Sequence, residues 1–254
     1  MISLRPRGEH AALRRAAARV GAGLITLSPW QLQLRDDDAT REALRDATQT
    51  ARVVVTSPTA VRAARSLLAL HARPGQQWFA VGAGTAAALR RAGVAEVAAP
   101  SRMDSEGLLA LPGLQDLAGT ELGFISAPGG RGVLVPALQA RGARVVRADV
   151  YDRVAITPTT RAVNQLLALV APSVIALSSG EALETVLAAL PAPARARLLQ
   201  SSVVAASERL ADMARQVGFT TVAVARSARP QDLMAAASAH APAAAKMARP
   251  DNRP

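Results

Sequence analysis

Short apolar runs alternate along the chain with longer segments in which alanine and leucine recur at helical spacing. This alternation is typical of parallel α/β units, and the runs are apolar throughout, as expected of strands that helices cover on both faces. The predicted strands outnumber what one small doubly wound sheet usually holds, so two sheets are expected. They are Ile2–Leu4, Leu24–Leu27, Val53–Thr56, Phe79–Val81, Glu96–Ala99, Gly123–Ser126, Arg144–Ala148, Val174–Leu177, Val203–Ala206 and Thr221–Ala225.

Helices are predicted between these strands, several of them after a capping residue or a proline, as at Ser57-Pro58 and Ser207. The acidic run Asp36–Asp38 is interpreted as an exposed helix cap, and Glu106 and Glu208 as charges that compensate helix dipoles. The predicted helices are Glu9–Val20, Thr40–Thr48, Thr59–Leu70, Gly84–Ala92, Ser105–Leu111, Gly132–Ala140, Thr160–Val170, Glu181–Leu190, Glu208–Val217 and Gln231–Ala239.

An internal repeat organises these elements. Residues 1–30 align without a gap with residues 122–151, and the same offset superposes the strand at Val53 on the strand at Val174. The sequence therefore predicts two copies of one flavodoxin-like α/β unit. Matched positions include Gly8 with Gly129, Gly21 with Gly142 and Trp30 with Tyr151.

Composition narrows the protein class. Half of the 254 residues are apolar, which excludes a disordered chain, and no apolar run approaches the length of a membrane span. The absence of cysteine excludes disulfides, thiolate catalysis and cysteine-ligated zinc. His10, His71 and His240 are scattered and are interpreted as surface residues rather than catalytic or metal-binding ones. A soluble, cytoplasmic protein without a signal peptide is expected.

The net charge of +11 has several explanations. Lys246 is the only lysine, so arginine supplies the positive charge, and a genome rich in G and C could impose this together with the abundant alanine. A solvated basic surface, a nucleic-acid partner and a polyanionic small molecule all remain open. The few aromatic residues are not interleaved with basic clusters, which favours the small anion over nucleic acid.

Candidate ligand-binding residues lie in the loops that follow predicted strands. Open parallel sheets bind ligands beyond the carboxyl ends of their strands, and two units facing each other would form a cleft there. Hydroxyls, arginines and glycine-rich helix N-termini suit carboxylates or phosphates, although the glycines alone can be explained as tight turns. The candidates are Arg5, Thr56, Ser57, Thr85, Gly129, Gly130, Arg131, Ser178, Ser179, Ser207 and Arg209.

Neither glycine-rich turn carries a complete nucleotide-binding motif. Gly82-Ala83-Gly84-Thr85 lacks the third glycine of a dinucleotide fingerprint, and Gly129-Gly130-Arg131 lacks the Lys-Ser/Thr of a P-loop. Tyr151, the only tyrosine, is placed towards the end of a predicted long strand over Ala143–Val154. Its phenol could donate a proton to a leaving hydroxyl in the cleft, or it could simply be wedged between domains with its hydroxyl in water.

Several segments, in this order and spacing, resemble the uroporphyrinogen-III synthase family over about residues 1–240. The segments are the opening strand with Arg5-Pro6, then Val55–Val61, Phe79–Ala86, Asp104–Leu109, Val150–Arg153 and Ser207–Leu210.

This resemblance implies two α/β domains joined by paired linker strands, with the chain visiting the second domain and returning to the first. The linker strands would be Ser28–Leu34 and Asp149–Ala155. Domain one would then comprise residues 1–32 and 155–241, and domain two residues 33–154. The tail over 242–254 is expected to be disordered.

The resemblance also implies a reaction without a cofactor, in which hydroxymethylbilane loses water and closes with inversion of ring D. Tyr151 matches the tyrosine proposed to assist departure of the hydroxyl, Thr85 matches a threonine of the Gly-x-x-Thr turn, and Ser178 matches a serine of the returning domain. Arg131 is the candidate cation of its loop. The substrate's eight carboxylates would explain the basic charge. The implied enzyme is a monomer with no metal, nucleic-acid or membrane partner; the alternative is a non-catalytic, two-lobed anion-binding or regulatory module.

Overall fold

The computed structural model describes residues 1–102, 104–129 and 132–240, in which strands and helices alternate. The chain divides into two compact units. Unit 1 contains Met1–Gln31 and the described residues from Val154 onward, and unit 2 contains Leu32–Arg153. The strands of the described residues are β1 (Ile2–Ser3), β2 (Ile25–Thr26), β3 (Trp30–Leu34), β4 (Arg52–Val55), β5 (Gln77–Ala80), β6 (Glu121–Ser126), β7 (Arg144–Asp149), β8 (Tyr151–Ala155), β9 (Val174–Leu177), β10 (Ser202–Ala205) and β11 (Val222–Val224).

Side-chain caps begin several helices, as predicted from the sequence. Asp37 Oδ1 accepts a hydrogen bond from the Thr40 amide at 2.8 Å, which confirms a helix cap in the acidic run. Glu106 and Glu208 lie in the first turns of their helices, where a negative charge interacts favourably with the positive end of the helix dipole. The described residues contain a 3-10 helix over Pro112–Leu114 and the α-helices α1 (Ala11–Ala18), α2 (Asp38–Gln49), α3 (Pro58–Leu67), α4 (Ala83–Ala92), α5 (Ser105–Leu109), α6 (Leu134–Ala140), α7 (Thr160–Leu167), α8 (Gly180–Ala189), α9 (Ala192–Leu199), α10 (Glu208–Val217) and α11 (Pro230–Ala239).

Unit 1 contains a five-stranded parallel sheet in the order β11-β10-β9-β1-β2. Its register places Ile2 opposite Ile25 on one side and Ile175 on the other. Numbered along the chain within the unit, this is the order 2-1-3-4-5, which is that of flavodoxin-like folds.

Unit 2 contains a four-stranded parallel sheet in the order β5-β4-β6-β7. The sequence repeat matches β6 with β1, β7 with β2, β4 with β9 and β5 with β10, so both units share one spatial order. The order along the chain differs: the first strand of the unit 2 sheet, β4, is equivalent to β9, which is the third strand of the unit 1 sheet. Gly8 and Gly129, which the repeat aligns, adopt left-handed φ values of 87° and 86°. The predicted repeat of parallel α/β units is therefore confirmed.

Both faces of the unit 2 sheet are buried, which explains why its strands read as continuous apolar runs. Val53 and Val55 pack into a core that contains Trp78, whereas Val54, pointing to the other face, packs into a core that contains Phe124. Burying each such side chain contributes roughly 1.5–3 kcal/mol.

The structure differs from the sequence prediction at three places. Glu96–Ala99 was wrong as a strand: only Ala98 forms a bridge, to Phe79, because Pro100 has no amide with which to continue the ladder. Helix α9 was not predicted, because the prolines at its start indicate a break. Proline is in fact tolerated in the first turn of a helix. The long strand Ala143–Val154 is two strands, β7 and β8, separated at Val150.

Strands β3 and β8 form a separate two-stranded sheet, the predicted linker. Val150 is where the chain passes from the unit 2 sheet to this two-stranded sheet. Its amide donates to the carbonyl of Ser126, which ends β6, and its carbonyl accepts from the amide of Arg35, which follows β3. Arg35 Nε and Nη2 also donate to the two carboxylate oxygens of Asp152, each at 2.8 Å. This hydrogen-bonded ion pair lowers the pKa of the Asp152 carboxyl.

Candidate active site

A cavity of about 430 Å³ lies in unit 2, beside the carboxyl ends of β4 and β6. This is the edge at which open parallel sheets bind ligands. Of the sequence-predicted candidates, Thr56, Ser57, Gly129 and Tyr151 line this cavity together. The structure therefore brings the proposed acid and three loop residues into one place within a single unit.

The phenol of Tyr151 contacts Ser57, the residue at the N-terminus of helix α3. Tyr151 is 5% exposed and packs in the same core as Val53 and Trp78. Its hydroxyl oxygen lies 3.2 Å from Ser57 Oγ. Ser57 in turn is the N-cap of α3, and its Oγ accepts a hydrogen bond from the Ala60 amide at 3.0 Å. A buried ring with its hydroxyl at a cavity wall is suited to proton donation.

A second hydroxyl pair lines the cavity. Thr56, directly after β4, and Ser126, at the end of β6, place their side-chain oxygens 2.8 Å apart. The pair arises because β4 and β6 are adjacent parallel strands, whose carboxyl ends meet at one edge of the sheet. Hydroxyls at this position can donate hydrogen bonds to a ligand carboxylate.

Two arginines of the described residues line this cavity: Arg147, on β7, and Arg153, on β8. Arg147 Nε lies 3.0 and 2.9 Å from the carboxylate oxygens of Asp149, and its Nη2 donates to the Ala127 carbonyl at 3.2 Å. Sequence reasoning missed both arginines. Strands β7 and β8 each carry other charged residues, so no local pattern distinguishes the two arginines that line the cavity.

The other candidates of unit 2 have different surroundings. Thr85 is buried in the first turn of α4 and is not among the residues that line the cavity. Gly130 and Arg131 lie outside the described residues, as does the predicted tail over 242–254. Gly129 is exposed, with the left-handed φ that a tight turn before α6 requires.

The unit 1 candidates follow three adjacent strands of its sheet, β1, β9 and β10. Ser179 caps α8, accepting from the Ala182 amide at 3.3 Å, while Ser178 is exposed. Arg5 Nη2 donates to the Ala228 carbonyl at 3.4 Å, and burial lowers the pKa of its guanidinium. Ser207 occupies the N-cap position of α10, but its side chain makes no cap hydrogen bond, so the predicted capping role is wrong for this residue. Arg209 lies exposed on that helix.

His10 is not the surface residue that the sequence predicted. It is 7% exposed, at the start of α1, with Nδ1 2.9 Å from Ser3 Oγ and Nε2 2.9 Å from Ser28 Oγ. A serine hydroxyl can donate or accept, so the two serines together satisfy a neutral imidazole, which has one N–H and one acceptor nitrogen. Burial, reinforced by Arg14 and Arg5, lowers the pKa of His10 to about 4.

We expect this buried imidazole to make the protein sensitive to acid. Because the pKa of His10 is lower in the folded chain than its ordinary value of 6.5, its contribution to stability is complete above pH 6.5 and is lost as pH falls towards 4. The loss amounts to roughly 2–3 kcal/mol. The measurement is the free energy of unfolding in urea at a series of pH values.

His10→Asn should flatten this acid slope, whereas the matched control His71→Gln, which removes an exposed histidine, should retain it. Parallel curves for His10→Asn and the unsubstituted protein would contradict the assignment of the slope to His10.

Among the described residues, no group of three or more histidine, cysteine or acidic side chains is placed to hold a metal ion. A search of the same residues finds no helix with the length and apolar character of a membrane span.

The fold and the cavity define a class: an α/β protein of two doubly wound parallel-sheet units, with a hydroxyl- and arginine-lined cavity suited to an anionic ligand. A family model described as uroporphyrinogen-III synthase HemD matches residues 11–235. The match spans most of the chain, and the chain belongs to the uroporphyrinogen-III synthase family.

Individual relatives agree with this assignment. The chain is 33% identical over 153 residues to the uroporphyrinogen-III synthase of Escherichia coli K12, covering 59% of this chain and 62% of that protein. It is 34% identical over 173 residues to the Salmonella typhimurium enzyme, covering 61% and 67%. The aligned region thus spans only part of these relatives' length.

Two solved structures share the fold. A mutant uroporphyrinogen III synthase of Thermus thermophilus has a TM-score of 0.60 at 18% identity, covering 94% of this chain and 95% of that one. The uroporphyrinogen-III synthetase of Helicobacter pylori has a TM-score of 0.60 at 13% identity, covering 94% and 97%.

Proposed function

We propose that this chain closes hydroxymethylbilane, a linear tetrapyrrole, to uroporphyrinogen III, with loss of water and inversion of ring D. Membership of the family over residues 11–235 supports this reaction. The structural observation behind it is the buried phenol of Tyr151, which lines the cavity beside the Ser57 hydroxyl.

Tyr151 is proposed as the general acid of the first step. Its O–H proton passes to the departing hydroxyl, the C–O bond breaks, water leaves, and the electron pair of a pyrrole nitrogen completes an azafulvene. A substituted carbon of ring D attacks this centre, and the resulting spiro species fragments and recloses. The final closure releases a proton from carbon, which restores the phenol. The sequence is a dehydration and a rearrangement, so no oxidant or reductant is consumed.

Positioning is the second part of the task. Without an enzyme the linear chain closes to the uninverted isomer I, so the protein has to hold the terminal ring in the orientation that leads to isomer III. The cavity of about 430 Å³ is sized for part of the substrate rather than all of it. Arg147 and Arg153 lie in its wall, where guanidinium N–H groups can donate hydrogen bonds to substrate carboxylates.

We propose that the loops bind the substrate's carboxylates mainly through backbone N–H groups at helix N-termini. The helix N-termini that follow the strands, at α3, α8 and α10, support this mode, and the net charge of +11 favours an anionic substrate. The proposed substrate-binding residues remain Arg5, Thr56, Ser57, Thr85, Gly129, Gly130, Arg131, Ser178, Ser179, Ser207 and Arg209.

We also propose a monomeric, cytoplasmic enzyme that needs no cofactor, with domain one at residues 1–32 and 155–241 and domain two at residues 33–154. The division of the described chain into two compact units supports the domain bounds, and the lack of cysteine is compatible with a reducing compartment. Sedimentation or gel filtration measures the oligomeric state.

The test supplies the purified chain with hydroxymethylbilane made in the same vessel by the enzyme that produces it. The expected result is faster consumption of hydroxymethylbilane than in the protein-free control. Saturable binding with an unchanged rate of consumption would instead identify a non-catalytic anion-binding module. Salt-sensitive retention on DNA without turnover would indicate a nucleic-acid partner.

A further inference from the structure

Ser57 connects the N-terminus of helix α3 to the phenol of Tyr151. Among the described residues its Oγ has two hydrogen-bond partners. The Ala60 amide donates to Oγ at 3.0 Å, and the Tyr151 hydroxyl lies 3.2 Å away. One serine oxygen therefore connects the N-terminus of α3 to the group proposed as the acid.

The amide contact restricts how the serine hydroxyl can be oriented. A hydroxyl has one proton and two lone pairs, and the Ala60 N–H occupies one lone pair. Its proton and its second lone pair then face away from the helix, and either the serine or the phenol can donate in the 3.2 Å contact between them. An O–H that already accepts a hydrogen bond is also polarised, which makes it a better donor.

We propose that Ser57 is a positioning residue for Tyr151: its hydroxyl donates to the phenol oxygen and leaves the phenol proton directed at the substrate's departing hydroxyl. This inference rests on the proposed function, and it changes the role of Ser57 from a carboxylate ligand to a partner of the acid.

The contact gains strength during the reaction. When the C–O bond of the substrate breaks, the Tyr151 proton leaves with the hydroxyl as water, and negative charge develops on the phenol oxygen. The Ser57 hydrogen bond then becomes charge-assisted, while the positive end of the α3 dipole acts on the same charge. An interaction that is stronger in the transition state than in the ground state raises kcat rather than lowering KM.

Kinetics of three variants test this role. Ser57→Ala is expected to lower kcat about tenfold with little change in KM, because a hydrogen bond to a developing charge is lost. Ser57→Thr, which retains a hydroxyl that can cap the helix and donate, is expected to stay within about twofold of the unsubstituted chain. In a Tyr151→Phe background, Ser57→Ala should cause no further loss, since the partner is already absent.

Asp37→Ala is the matched control for the lost cap. It removes the N-cap of α2 in the same unit, at a residue that does not line the cavity, and should reduce stability without changing kcat.

A spectroscopic readout tests the direction of the hydrogen bond without catalysis. Tyr151 is the only tyrosine, so the tyrosine Fermi doublet in the ultraviolet resonance Raman spectrum belongs to this residue alone. The expected doublet is that of a phenol that accepts a hydrogen bond, and Ser57→Ala should abolish this signature.

The failures are distinguishable. An unsubstituted chain that forms no isomer III overturns the proposed function. An active chain in which the Ser57→Ala and Tyr151→Phe losses multiply, or whose doublet is that of a pure donor, overturns the role of Ser57 alone.

Discussion

Tyr151→Phe is expected to lower kcat for isomer III formation about a hundredfold, the low end of the contribution that a positioned general acid typically makes. Phenylalanine keeps the buried ring and its packing, and removes only the oxygen that lies 3.2 Å from Ser57 Oγ. Spontaneous closure to isomer I competes with the slowed enzyme, so the proportion of isomer I should rise as well. Steady-state kinetics combined with chromatographic separation of the two isomers measures both effects.

The control for this substitution removes a different hydroxyl from the same cavity. Thr56→Val deletes the oxygen that pairs with Ser126 and leaves the Ser57–Tyr151 contact in place. We expect it to raise KM more than it lowers kcat, because the hydroxyl is proposed to bind substrate in both the ground and transition states. A Tyr151→Phe protein with unchanged kcat and isomer composition would remove Tyr151 from the mechanism.

Gly123→Ala is expected to reduce the free energy of unfolding by about 3 kcal/mol, at the upper end of overpacking costs. Gly123 lies in β6 beneath the end of α2. A Cβ added there would lie 2.0 Å from the Ala47 carbonyl oxygen and 2.9 Å from Thr50 Oγ1. The Thr50 hydroxyl accepts the Gly123 amide at 2.9 Å, and its one proton lies between the carbonyls of Ala47 at 2.9 Å and Arg52 at 2.8 Å, so a shift of Thr50 would disturb these hydrogen bonds.

Gly84→Ala is the matched control in the same unit. A Cβ at this helical position would meet nothing closer than Pro58 Cγ at 3.7 Å, so stability should be unchanged or should rise by up to about 1 kcal/mol through helix propensity. Urea denaturation followed by tryptophan fluorescence, to which buried Trp78 contributes, measures both variants. Equal midpoints for the two variants would contradict the packing of α2 on β6.

Elements with strong local signals could be predicted from the sequence. Helix α3 begins where Ser57-Pro58 supplies both a cap and a proline suited to the first turn, and the buried strand β4 reads as an uninterrupted apolar run. The internal repeat also predicted that the chain forms two similar sheets, because aligned glycines such as Gly8 and Gly129 mark equivalent turns.

Features that depend on tertiary contacts could not be predicted in this way. The burial of His10 depends on Ser3 and Ser28, whose hydroxyls meet the imidazole only after β1 and β2 pair. The arginines of the cavity wall belong to β7 and β8, whose break at Val150 reflects a change of sheet rather than a local signal. The contact between Ser57 and Tyr151 joins residues separated by 94 positions.

The proposed function depends most directly on the isomer that the chain produces. The decisive measurement is the ratio of uroporphyrinogen III to uroporphyrinogen I formed from a fixed supply of hydroxymethylbilane as the concentration of the purified chain increases. We expect isomer III to rise with protein concentration until it is nearly the whole product. A product that remains isomer I at every protein concentration would contradict the proposed function.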